Sequence, residues 1–106
     1  MIHVIATITA RAGAREELLR HMLANVPNVL EENGCHGYQP TVDFDSGLAA
    51  QAPAGPDTVV LIECWESLDH LRAHLNAPHM QTYRDQVKDL VRSSSLRVLS
   101  EAVCSS

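Results

Sequence analysis

Between Leu61 and Arg84 the chain gathers its only tryptophan and three of its six histidines, together with a tyrosine and two arginines. These side chains move protons, stack on flat rings and hold anions. The run opens with Val59, Val60, Leu61 and Ile62, whose β-branched bulk suits a buried strand ending at Glu66. Strand parity puts Leu61, Glu63 and Trp65 on one face, so Trp65 needs an apolar surround and Glu63 a partner. A helix then starts at about Leu68, with Ser67 positioned to accept from its free N–H groups and Asp69 at the positive end of its dipole. At ~100° per residue, His74 falls beside the stripe of Leu68, Leu71 and Leu75, and borders the core. His70 falls on the opposite side and faces water. Asn76-Ala77-Pro78 breaks the helix, and a second segment restarts at the proline with Met80, Tyr83, Val87, Leu90 and Val91 inward and Arg84 at the border. His74 and His79 flank the break and Tyr83 follows one turn later, so all three can reach one mostly apolar pocket suited to a flat aromatic molecule. Competing structural readings stand beside this one: Trp65 as plain core, His74 as a boundary histidine bonded to backbone, and His79 as a local helix-start bond.

Other chemistries find less support. Glu66, His70 and His74 are spaced by four, but Glu66 ends a strand and two histidines without a third ligand make a weak site, so no metal is expected. No glycine-rich nucleotide loop and no G-x-S-x-G is present, which leaves nucleotide cofactors, flavin and a serine nucleophile unsupported. Any catalysis would have to be cofactor-free. Cys35, Cys64 and Cys104 are odd in number and lack metal-like spacing, which predicts reduced thiols. The net charge of −5, with eight scattered Lys and Arg, argues against nucleic acid or an anionic membrane as partner. No 18-residue apolar run and no charged-then-apolar leader is seen, so a cytoplasmic protein with a small partner is expected.

The elements that must position these residues can be read in order. Ile2 to Ala10 alternates with the period of a strand. After Arg11-Ala12-Gly13, Ala14 to about Glu32 carries Leu18, Leu19, Met22, Leu23, Val26, Val29 and Leu30 at helical spacing. Pro27 predicts a kink or break near Asn25, and His21 is expected to face solvent. Asn33-Gly34 caps the helix, and Cys35 to about Phe44 reads as a second strand that Pro40 pushes to a sheet edge or a bulge. Asp45 to Asp57 is a long loop of small residues, expected to be a mobile flap. Leu96 to Val103 makes the fourth strand.

The order β-α-β-β-α-β in 106 residues implies one α+β domain of ferredoxin-like form, a four-stranded antiparallel sheet with helices on one face. Apolar residues on both sides of the strands, such as Ile5 and Leu99 against Val4 and Val98, leave the second face uncovered. A second copy of the chain is the expected cover, making a homodimer through the sheet face.

The chain also resembles the antibiotic biosynthesis monooxygenase family, whose pattern reads here as Glu63-x-Trp65-x-Ser67, His74-Leu75, Pro78-His79 and Tyr83, with Glu32-Asn33-Gly34-Cys35 and Tyr38 upstream. The resemblance implies a dimeric α+β barrel and oxidation of a small aromatic quinol or polyketide by O₂ without cofactor. It implies His74 as the base, Tyr83 and Arg84 as donors to the developing charge, and Trp65, His79 and Met80 as the substrate-binding surface. The haem-degrading relatives use an asparagine, a tryptophan and an iron-ligating histidine where a rough alignment puts Thr7, His74 and Arg84, which disfavours that branch. An isomerase of the same superfamily would want a phosphate cradle, and none is visible. A dimeric ligand-binding domain without catalysis is the alternative from another class.

Overall fold

A computed structural model describes residues 1–102. Its elements are β1 (Ile2–Ala10), α1 (Arg15–Leu30), β2 (Cys35–Thr41), β3 (Thr58–Trp65), α2 (Leu68–Leu75), α3 (Pro78–Val87) and β4 (Val91–Ser100). The sheet is antiparallel in the order β2-β3-β1-β4, the α+β ferredoxin-like arrangement that the element order predicts.

Val4 and Ala6 of β1, Val59, Leu61 and Trp65 of β3, and Tyr38 of β2 turn toward the helices and are buried there with Leu18, Met22 and Val29 of α1. The opposite face carries Ile5, Ile62 and Leu99, of which Ile62 and Leu99 are about half exposed. The thinnest dimension is 20 Å, room for a sheet and one layer of helices. Pro40 lies on the edge strand, where a missing N–H costs no ladder bond to a further strand, and the register slips between Cys35 and Gly37.

Three boundaries depart from the sequence reading. Helix α1 runs unbroken through Pro27, because that residue sits in the last turn and both it and Leu23, whose carbonyl loses its donor, are on the exposed side where water can replace the bond. Helix α3 stops at Val87, and β4 begins at Val91 instead of Leu96, so Leu90 and Val91 belong to a turn and a strand. The serines at 93–95 lack strand-like bulk but pair with Thr7, Ile8 and Thr9, and the long partner β1 overrides their weak preference. The far end of the expected strand, Val103, and Cys104 lie outside the described residues. His21 is half-buried beside α3, not turned to solvent.

Two connections fix where the chemistry sits. The Asp43 carboxylate accepts from the N–H groups of Ala54 and Gly55 at 2.9 and 3.1 Å, which ties the two ends of the long loop together. Gly34, at φ +80°, lets the chain turn against α2 so closely that a Cβ there would lie 2.4 Å from the His70 ring. Ser67 caps α2 as expected, accepting from the His70 N–H, and its hydroxyl also lies 2.7 Å from His70 Nδ1. His70 is therefore a packing residue at the α1–α2 corner, less wet than the helical spacing suggested.

Candidate active site

Trp65 ends β3 with no exposed surface, and its indole N–H donates to Glu63 Oε1 at 2.9 Å, two residues back on the same strand face. The imidazole of His74 lies over the indole, ring centres 4.6 Å apart and tilted by 32°, while the Tyr38 ring meets it edge-on at 5.5 Å. His74 is 2% exposed, well inside the boundary position expected of it.

The partner of His74 is Glu32, whose Oε2 is 2.6 Å from Nδ1. Glu32 follows the end of α1 and is pinned there: its N–H donates to the Val29 carbonyl and its own carbonyl accepts from the Cys35 N–H. A carboxylate only accepts, so Nδ1 carries the proton and the other nitrogen, Nε2, is left with a lone pair. Burial holds the His74 pKa below its ordinary value; the hydrogen bond and charge of Glu32 oppose this, and the nearby charges of His79 and Arg84 add to the lowering. The ring is thus neutral near pH 7 and able to take a proton.

His74 lines a cleft of about 680 Å³ between the sheet and the α2–α3 pair, within the size range of small-molecule sites. Ala6, Leu61 and Glu63 form its floor, Met80 and Tyr83 its helical wall, and its outer edge runs along β4 past the half-exposed Leu96. Burial pushes the Tyr83 hydroxyl up to about 12, so it stays protonated and can donate. Burial likewise raises Tyr38, which also lines the cleft. Arg84 lines the cleft too, with one guanidinium N–H on the Leu75 carbonyl at the α2–α3 break.

Of the residues singled out in the sequence, His74, Met80, Tyr83 and Arg84 come together around this cleft. Trp65 stands behind His74 and does not line it. His79 lines a separate groove of about 270 Å³ between α1 and α3, with His21, Asn25 and Asn28. Its Nδ1 is 3.3 Å from Asn25 Oδ1, and its Nε2 lies 3.5 Å from Glu32 Oε1, close enough for charge attraction but with no hydrogen bond. Glu32 had no assigned role in the sequence reading. Its signal was electrostatic: two glutamates follow a helix whose last turn has no basic residue, where the dipole disfavours negative charge. Among the described residues, no three of His, Cys, Asp or Glu are grouped to hold a metal ion. No helix among them is long and apolar enough to cross a membrane.

Residues 1–86 match the sequence profile of the family described as Antibiotic biosynthesis monooxygenase. The chain belongs to this family. Within it, the chain is 45% identical over 105 residues to the Escherichia coli K12 protein named "Probable quinol monooxygenase YgiN", covering 97% of this chain and all of that one, and equally so to the protein of that name from Shigella flexneri. Among solved structures, one from Mycobacterium tuberculosis aligns over 99% of this chain and 98% of its own at 28% identity and a TM-score of 0.77. Another, from Pseudomonas aeruginosa, aligns over 96% and 94% at 25% identity and 0.79. Both share this architecture along nearly the whole chain.

Proposed function

We propose that this protein is a cofactor-free monooxygenase that oxidises a small aromatic quinol with O₂. The observation that carries the reading is a neutral histidine, held by a carboxylate through Nδ1, on the wall of a mostly apolar cleft. The family membership and the name of the relatives favour the same chemistry.

In this reading His74 Nε2 takes the phenolic proton, and the electron-rich anion passes one electron to O₂. The resulting radical and superoxide join at a ring carbon, and the peroxide anion takes the proton back from His74 to become a hydroperoxide. That carbon then loses its hydrogen as a proton while the O–O bond breaks, and the departing hydroxide takes a proton to become water. The sum is quinol plus O₂ giving a hydroxyquinone plus water. Tyr83 and Arg84 donate to the developing charge, and Met80 with the apolar floor holds the ring and excludes water. Trp65 acts from behind as the surface on which His74 rests, and Glu32 as the group that orients it. His79 adjoins the site from the neighbouring groove, through Glu32 and through its charge on His74. Two copies pair through the uncovered sheet face to make the dimeric α+β barrel, and the protein works in the cytoplasm.

The test uses quinols prepared without oxygen. They should consume O₂ faster with protein than without, in the presence of a metal chelator, and His74→Ala should slow this by about 10²-fold or more. A ligand that quenches Trp65 fluorescence while O₂ uptake stays at the buffer rate would instead identify a binding domain. Loss of activity on adding chelator would point to a metal.

A further inference from the structure

Glu63 is the acid that this chemistry leaves unused. Its side chain is 5% exposed on the floor of the cleft, and it has no ion-pair partner among the described residues. An isolated buried carboxylate is strongly disfavoured relative to its protonated form. Burial pushes its pKa up, the Trp65 N–H offsets part of that, and the charge of Glu32 adds to the rise. With Oε1 occupied by the indole N–H, the carboxyl proton belongs on Oε2, which has no hydrogen-bond partner among the described residues. His79 Nε2 is the side-chain polar atom among them that is both sealed from solvent and unpartnered, so Oε2 of Glu63 opens on the cleft. The floor thus holds a hydrogen-bond donor, and one indole ring separates it from the acceptor His74: the edge of Trp65 meets Glu63 and its face meets His74.

We infer that Glu63 is a specificity-determining residue, whose neutral carboxyl donates to a second oxygen on the substrate ring and so selects arenes carrying two oxygens over monophenols. The inference rests on the cleft being the quinol site. One substrate oxygen gives its proton to His74. The other accepts from Glu63, and this bond strengthens as that oxygen gains carbonyl character on the way to the quinone. A monophenol would leave the Glu63 donor without a partner once the cleft is dry, which is the condition under which a missing hydroxyl discriminates strongly.

The experiment measures binding without oxygen, by quenching of Trp65, for 1,4-dihydroxynaphthalene and for 1-naphthol, the same ring without the second oxygen. The wild-type protein should prefer the diol by about 10-fold or more, and Glu63→Leu should abolish the preference. Glu63→Gln keeps a donor that cannot ionise, so it should retain the preference at every pH. In the wild type the preference should fall as pH rises and the carboxyl loses its proton. The titratable groups that surround it are Tyr38, directly across on β2, Cys35 on the same strand, Glu32 after α1, His74 on α2, Tyr83 and Arg84 on α3, and Lys88 just after it. All except Glu63 are retained in Glu63→Gln, so a parallel fall in that variant would assign the pH effect to one of them and overturn the inference. An unchanged preference in a folded Glu63→Leu variant would also overturn it. If that variant does not fold, the contrast between wild type and Glu63→Gln decides alone: a wild-type preference that is absent, or that does not vary with pH, refutes the role. Absence of O₂ uptake with the diol would count against the monooxygenase and leave the selectivity standing.

Discussion

Replacing Glu32 by Gln keeps the volume and shape of the side chain and removes its charge, so it isolates what the carboxylate does for His74. The 2.6 Å contact from Nδ1 to Oε2 joins a ring 2% exposed to a carboxylate 17% exposed, too dry for water to take over. A hydrogen bond to a charged group in such a place contributes about 1.5–3 kcal/mol, or roughly 10- to 10²-fold in rate if it acts in the transition state. The larger effect is on the tautomer. An amide can turn its NH₂ toward Nδ1, which moves the ring proton to Nε2 and leaves no base facing the cleft; the comparable change in a serine protease triad costs about 10⁴-fold. Glu32→Gln should therefore lower kcat/KM for quinol oxidation by about 10²- to 10⁴-fold, read as O₂ uptake with chelator present.

The pH dependence gives a second reading of the same variant. His74 has a folded pKa below its ordinary 6.5, so the acid limb of kcat/KM should lie below that value in the wild type. Above pH 6.5 the ring is neutral in both states and its contribution to stability is complete; as pH falls below 6.5 the unfolded chain protonates first and stability is lost. Glu32→Gln removes the two influences that hold this pKa up, so the limb should move to still lower pH and the loss of stability in acid should deepen. Activity within threefold of wild type in a folded Glu32→Gln protein, with an unmoved acid limb, would refute the role of His74 as an oriented base.

Trp65→Phe should act mainly on stability, since the indole stands behind His74: stranding Glu63 Oε1 costs about 2 kcal/mol and should lower Tm by roughly 10 °C in a thermal melt. A wild-type Tm would show that the indole bond adds nothing. Gly34→Ala forces a side chain into the left-handed region and onto the His70 ring at the head of α2, so stability should drop by about 1–2 kcal/mol or more and O₂ uptake should fall with it. Full activity and stability would mean that the corner relaxes without moving His74. For the sheet face, sedimentation at micromolar protein should give twice the 11.6 kDa chain mass, and Ile62→Glu, at a half-exposed position paired with Ile5, should return it to the monomer. A monomeric wild type would remove the argument for the barrel.

Local patterning was enough for most of the architecture. Alternation marked β1, the N-cap at Ser67 and the proline restart at Pro78 located α2 and α3, and the split order of elements led to the antiparallel sheet. These features depend on neighbours a few residues away, which is what a sequence displays directly. It also brought His74, Met80, Tyr83 and Arg84 together, because the α2–α3 break fixes their relative directions. Where long-range contacts decide, the reading went astray. The serines of β4 became a strand by pairing with β1, and α1 ran on through Pro27 because that turn is wet. The same cause hid the chemistry of the site. Glu32 and His74 are 42 positions apart, and only the packing of the α1 end against α2 brings a carboxylate to Nδ1. Trp65 and His79 carry the residue types of a binding surface, yet the fold sets one behind the imidazole and the other in a neighbouring groove. Residue type showed what each group could do; burial and partners distant in the chain decide which nitrogen of His74 carries the proton and push the pKa of Glu63 upward.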